Sequence, residues 1–465
     1  MESESTCRKR YILMQPPVVI ILFAMSMSGN VFTDLLVYRT CTVTLSLNKT
    51  ECLLLHENSS SKEALRIDSI VQPHASLIIM TKSFIESILP AFLSLFLGPW
   101  SDKYGRKPLM LAGYIGISMS YFIQTMMTVW DISPWFFPLA SIPSACFGGF
   151  CIVLLASACY VSDVSNDQNR TWYLACFNGL ISLGILMGMF VGPIIFKQYG
   201  YTTVFASATV FCILAELYVC FCVSETVHNG NTKTLKNLFD ISVVKDLLNV
   251  CVKRRDGFDR GIIWCCIVCL TLIIVVLQGD LTIGFLFASA RLGWDVKTYS
   301  DYVALNIIVS ILGTIIAIKL LKKYGGFSDE ILAILSLFSS LGGAITRSFT
   351  LKPWHMYLVI LIEMFSSVAT PTIRAILAKT VPPHDVGKVF CLTISIETLT
   401  PLAAASLYAM VYSYFMPPFY PTPVWLVSAG LFMIVILLVI NIKVQRDKAN
   451  SVEYTLMSHD VSEST

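Results

Sequence analysis

Twelve times along this chain, roughly 20 residues pass with scarcely a charge among them. The runs fall at about 14–37, 75–98, 108–130, 136–161, 172–195, 202–223, 261–284, 301–321, 329–347, 355–378, 389–412 and 423–442. A helix of that length crosses the ~30 Å hydrocarbon core of a bilayer, which a soluble core helix has no need to do. Alternation of apolar and polar residues is absent and the runs are too long for barrel strands, so the expectation is an all-α membrane protein. Composition agrees. Of 465 residues 55% are hydrophobic and 14% charged, against about 25% charged in soluble domains. A net charge of +3 supplies no basic field for nucleic acid.

Orientation follows from Lys and Arg. The run after "MESESTCRKR" continues to about Val37, longer than the core of a cleavable signal. It therefore reads as a first membrane helix whose Arg8, Lys9 and Arg10 stay in the cytoplasm. Lys103, Arg106, Lys107, Arg170, Lys253, Arg254, Arg255, Lys322, Lys323, Lys379, Lys443 and Arg446 then fall on that same side, and the other side is sparser. Both termini are expected in the cytoplasm. The sequons at Asn48 and Asn58 are expected outside and glycosylated, and the one at Asn169 inside and bare. Cys41 and Cys52 share the outer segment, where an oxidising exterior permits a disulfide. Cys265, Cys266 and Cys269 lie in an apolar run with no His nearby, and read as small packing residues rather than a metal site.

The longest cytoplasmic connection, 224–260, divides the chain into six-helix halves, 1–223 and 261–442, followed by a tail, 443–465. A weak repeat supports the division. "SDKYGRK" follows span two and "LKKYGGFSDE" follows span eight; "VSDVSNDQNRTW" follows span four and "VPPHDVGKVF" follows span ten. Repeats of this kind suit alternating access around a central cavity. In the first of these loops Gly98 permits close helix approach and Gly105 relaxes a tight turn. Asp102 can face a helix N-terminus or an arginine, Arg106 being the nearest, and Asp163 and Arg170 offer the same chemistry in the loop after span four. These six are the gating candidates. The plainer reading of the basic residues is that they only hold topology.

A charge inside a span costs about 2.5–3.5 kcal/mol on insertion scales, so each needs a reason. Arg374 lies in span ten, three residues after Pro371; it either snorkels to the interface or contacts an anionic solute. Glu363 precedes it by eleven residues, three turns, so both are expected to face the same way about 16 Å apart. Glu397 in span eleven is deeper, and is either a proton carrier or half of a fixed ion pair. Lys82 and Glu86 stand i,i+4; mutual neutralisation is the favoured reading, with solute contact and proton transfer as the functional ones. Asp280 and Asp34 lie nearer the outer mouth, and Asp280 joins the proton candidates. No histidine lies mid-span, so any proton relay uses carboxylates. There is no P-loop, zincin motif or nucleophile elbow, so no enzyme and no cofactor is expected. In the polar tail Tyr454-Thr-Leu-Met457 matches the pattern that clathrin adaptors read in an extended segment, or matches it by chance.

The spacing Gly98-x3-Asp102-Lys-x-Gly105-Arg106-Lys107 resembles the signature loop of the major facilitator superfamily. Within it, "FGGFCIVLLASACYVSDVSNDQNRT" (Phe147 to Thr171) and "ATPTIRAILAKTVPPHDVGKVF" (Ala369 to Phe390) look like matching segments of solute carrier family 46. "GNVFTDLLVYR" (Gly29 to Arg39) is similar to that family's helix-1 pattern, and "LGWD" (Leu292 to Asp295) echoes its L-C-W-D. The resemblance implies a twelve-helix fold, importance for Arg374, and solutes such as reduced folates, bacterial cell-wall peptides, cyclic dinucleotides or other amphipathic anions. Where folate-carrying members have a proton-coupling glutamate on helix 5 this chain has Asn178, kept as a solute-contact candidate. Their helix-7 histidine falls near Val275 or Val276, and their helix-4 aspartate opposite Gly149. These departures count against folate and against a helix-5 proton site. The family's cysteine before the helix-8 tryptophan is Gly293 here, so the resemblance implies that Cys52 pairs with Cys41.

The expectation is a secondary active transporter of an organic anion, with proton coupling implied by the family, in the plasma membrane or the endosome–lysosome membrane. Its partners are the solute, protons, the lipid bilayer and, through the tail, a clathrin adaptor. The rival is a non-transporting receptor or adaptor that keeps the fold, against which stands the cost of the buried charges.

Overall fold

The structure, a computed structural model, describes residues 2–57, 62–164, 170–225, 260–317, 326–381, 386–415 and 420–463. Within those helices some side chains fall outside the described set, among them Asp102, Arg170, Asn178, Tyr454 and Met457, and so do the surroundings of Gly98. Every described element is helical, as lipid requires of a chain that must satisfy its backbone groups internally.

The order is α1 (Glu2–Arg39), α2 (Lys49–Glu57), α3 (Lys62–Tyr104), α4 (Arg106–Val129), α5 (Ile142–Cys146), α6 (Gly149–Val164) and α7 (Arg170–Cys222). There follow α8 (Arg260–Leu292), α9 (Val296–Ile316), α10 (Asp329–Ser348), α11 (Pro353–Ile362), α12 (Ala369–Thr380), α13 (Val386–Tyr414) and α14 (Pro423–Glu463). Gly105, at φ 123°, separates α3 from α4. Gly200, at φ 78°, breaks α7 into two helices. Among the described residues ten helical segments are long and apolar enough to cross a membrane. The Gly200 break lies inside one of them and α13 stands outside the ten, so the count of twelve stays an expectation.

Span ten is not one helix. Between α11 and α12 the chain tightens into a 3-10 stretch, Glu363–Val368. Pro371 lacks the N–H that would bond the carbonyl of residue 367, which loosens the helix at that turn. Carbonyls in and beside the 3-10 stretch find partners on α10: Ser336 Oγ is 2.7 Å from Phe365 O and 3.0 Å from Ser366 O, and Ser339 donates to Ile362 O.

By packing, the chain falls into two units. The first holds Met1–Asp246, Gln278–Ile307 and Thr398–Phe419; the second holds Leu247–Leu277, Ile308–Glu397 and Tyr420–Thr465. The division into halves at 224–260 stays an expectation from the sequence. In the first unit α1 lies on α7 along Gly184, Gly188 and Gly192, whose missing side chains let the backbones meet. A Cβ there would sit 2.8, 2.5 and 2.2 Å from the carbonyls of Val19, Phe23 and Met27. This is the small-xxx-small mode of membrane helix pairing. Ends of α8 and α9 join the same unit through Phe285, Val296 and Tyr299, and Asn30 Nδ2 donates to Ser300 Oγ at 3.0 Å. In the second unit Ile263, Leu270, Leu337, Ile373, Leu377, Val435 and Val439 form the core. Cys41 and Cys52, both fully buried, are joined with a Cα–Cα distance of 6.0 Å.

Candidate functional site

The candidate residues fall in both units. In the second, Arg374 on α12 donates through Nη2 to Glu397 Oε2 on α13 at 2.7 Å. The pair is asymmetric: the arginine side chain is 37% exposed and the glutamate 9%. Glu397 Oε1 is buried and accepts no hydrogen bond from the described residues. A guanidinium carries a rigid fork of five donors, so one bond to Glu397 leaves the fork able to grip a second anion.

Glu363 does not share a face with Arg374. It pairs instead with Arg347 on α10, and the Arg347 guanidinium lies 5.4 Å from the centre of the Trp425 ring. The shared-face expectation assumed an unbroken helix. Six 3-10 residues turn about 120° each rather than about 100°, which swings Glu363 through roughly a third of a circle. Both members of the Arg347–Glu363 pair are about nine-tenths buried.

In the first unit Lys82 Nζ is 2.7 Å from Glu86 Oε2, and Ser141 Oγ donates to Glu86 Oε1 at 2.8 Å. Lys82 also stands 5.2 Å from the centre of the Phe32 ring. Both charges are thus committed within the unit, as the i,i+4 spacing suggested. Asp34 accepts from Tyr201 Oη at 2.7 Å. Asp280 is half-buried on α8. Asn178 lies on α7, with its side chain outside the described residues.

Around Gly105 the loop is built as a charge knot. Arg106 Nε donates to Asp163 Oδ2 at 3.0 Å, with the Arg106 side chain 8% exposed. Glu225 accepts the N–H groups of Arg106 and Lys107 at 2.9 and 3.1 Å, and Lys107 Nζ donates to the carbonyl of Cys220 at 2.7 Å. Glu225 therefore caps α4, where orphan N–H groups and the helix dipole favour an anion. Asp102, expected to face a helix N-terminus or an arginine, has its side chain outside the described residues, as has Arg170, and the surroundings of Gly98 lie outside them too. The sequence signal for Glu225 was slight, an acid straight after span six. Any side chain at position 105 would put Cβ 2.5 Å from Glu225 Oε2.

A charge cluster recurs after the matching span of the second half. Gly326 has φ 62°, Ser328 caps α10, and Lys379 bonds Asp329 at 2.6 Å while Arg446 pairs with Glu330. The sorting candidates Tyr454 and Met457 lie on helical α14 backbone rather than in an extended tail, so an adaptor that reads extended chain requires that turn to unwind. Asn48 is exposed just before α2; Asn58 and Asn169 are outside the described residues.

A family model described as Major Facilitator Superfamily matches residues 70–405. Among curated relatives, "Probable peptidoglycan muropeptide transporter SLC46" of Drosophila melanogaster is 28% identical over 414 residues, 86% of this chain and 80% of that one. "Proton-coupled folate transporter" of Rattus norvegicus is 26% identical over 398 residues, 86% and 85%. Among solved structures, the human organic anion transporter MFSD10 (TETRAN) superposes with a TM-score of 0.64 over 93% of this chain and 99% of its own. At 14% identity that likeness concerns the fold alone.

Proposed function

The chain belongs to the Major Facilitator Superfamily and is a multi-pass membrane protein, and from that premise we propose that it moves an organic anion across the membrane by alternating access, with a proton as co-substrate. Its relatives are solute transporters, not enzymes. The observation that carries the reading is the lopsided Arg374–Glu397 pair. The arginine side chain, more than a third exposed, is available to a carboxylate or phosphate arriving from outside the helix pair. Glu397, buried and bonded through one oxygen, competes for that guanidinium while ionised. Protonating Glu397 removes the competing charge and frees the fork, so solute and proton load together; loss of the proton restores the pair and expels the anion.

The absence of a carboxylate at position 178 favours anions other than folate. Muropeptides, which carry carboxylates on a polar scaffold, fit the arginine as well. The test is uptake by proteoliposomes of folates, haem, muropeptides and nucleotides, with and without an inward proton gradient. Concentrative, gradient-dependent uptake of one of them, with the pH dependence flattened in Glu397→Gln, supports the reading. Binding without uptake makes the protein a receptor on a transporter fold.

A further inference from the structure

One buried acid outside the site described above is held in an unusual way. Asp68, near the start of α3, is 2% exposed. Its carboxylate accepts from the Gln72 amide at 2.9 and 3.0 Å and from the Ser289 hydroxyl on α8 at 3.3 Å. Gln72, fully buried, accepts in turn from Tyr412 Oη on α13 at 3.3 Å. The chain Ser289–Asp68–Gln72–Tyr412 thus ties α3, from the first half of the sequence, to α8 and α13 from the second, all within the first packing unit. It lies toward the end that carries the Cys41–Cys52 bridge.

Among the described residues every donor to Asp68 is neutral. Among the described residues neither Arg66 on its own helix nor Arg291 on α8 bonds it, and the charge there that acts on it is the carboxylate of Asp34 on α1, itself held by Tyr201 of α7. An ionised carboxylate taken out of water without a cation costs several kcal/mol. A protonated one fits the same place, since its new hydrogen can point to Ser289 Oγ while the other oxygen still accepts from Gln72. We propose that Asp68 is a proton site of the outer gate: it takes a proton from the exterior as the outer ends of α3, α8 and α13 pack together, and releases it when they part and water returns. The gate movement rests on the alternating-access reading above, but the site can be read without any solute.

Ser300, 1% exposed and bonded to Asn30 across the same packed ends, reports the gate, and the exposed Lys297 one turn earlier serves as reference. Ser300→Cys and Lys297→Cys proteins are labelled from outside with a membrane-impermeant maleimide, and the ratio of their rates removes the pH dependence of the thiol. Acidifying the exterior is expected to lower the ratio by up to about tenfold per pH unit, the limit for one linked proton. Asp68→Asn, which fixes the neutral form, is expected to hold the ratio low at every pH. A ratio independent of pH, or a pH response that survives in Asp68→Asn, overturns the proposal. Should Asp68→Asn fail to reach the membrane, the infrared carboxylic C=O stretch of the purified wild type decides, with Asp68→Glu to assign the band; no such band at acid pH overturns it. Proton-driven uptake with a flat labelling ratio sinks this site and leaves the transport reading standing.

Discussion

Arg347 and Glu363 form an ion pair about nine-tenths buried, joining α10 to the 3-10 stretch that interrupts span ten, with the Trp425 ring against the guanidinium. A buried pair that loses one member leaves an unpaired charge, which typically costs about 3–5 kcal/mol. Arg347→Met should therefore lower the unfolding temperature of the detergent-solubilised protein sharply, and adding Glu363→Leu should recover much of the loss. Glu363→Gln should leave the pH dependence of uptake intact, because the pair fixes the break rather than carrying the proton. A flattened pH profile in that variant would return Glu363 to the coupling machinery.

The same stretch is clamped from α9. A Cβ on Gly313 would sit 1.9 Å from the carbonyl of Met364, a backbone atom that cannot swing aside. Gly313→Ala should cost about 1–3 kcal/mol, the usual range for overpacking. Gly343→Ala should cost less if Arg347 lets the Glu363 carboxylate shift, since there the obstructing atom is a side-chain oxygen 2.1 Å away. Thermal unfolding of both variants reads the difference, and equal, negligible losses would show that the 3-10 stretch is not held this way.

The knot around Gly105 is held by charged hydrogen bonds from Arg106 to Asp163 and from the α4 N–H groups to Glu225. Removing a charged hydrogen-bonding partner is worth about 1.5–3 kcal/mol. If the knot latches one transport state, Arg106→Ala and Glu225→Ala should each slow solute exchange about tenfold or more at normal surface expression. Counterflow in proteoliposomes measures this. Unchanged turnover would leave these residues as holders of topology.

Topology itself is checked by glycans. Asn48 and Asn58 should carry them and Asn169 should not. A glycosidase-sensitive species that persists after Asn48→Gln and Asn58→Gln would place the wrong face outside.

Much of this was readable in the sequence where the cause is local. The apolar runs give the helices, and the i,i+4 step gives Lys82–Glu86. Arg374 and Glu397 each stand out as charges among apolar residues, yet they are 23 residues apart on two helices, and only packing supplies their pairing. The roles of Asp68 and Glu225 are hidden from the sequence for a different reason. Each sits in a polar stretch flanking a span, where an acid looks solvated; tertiary contacts to Ser289 and to the α4 N-terminus are what give them roles. The break in span ten was half legible. Pro371 marked it, but the serines that stabilise it belong to another helix.

The central claim is that the solute's anionic group exchanges with Glu397 on Arg374. Its most direct test is the apparent KM for uptake, by proteoliposomes, of the anion that the screen returns, measured in wild type and Arg374→Lys at equal protein content. Lysine keeps the charge and snorkels as well as arginine, but it lacks the planar fork. The account expects KM to rise about tenfold in Arg374→Lys, and by roughly ten- to a hundredfold in Arg374→Ala, where a charged contact worth about 1.5–3 kcal/mol is gone. A wild-type KM in Arg374→Lys would contradict it, leaving the arginine as an interfacial anchor and Glu397 as its fixed counter-ion.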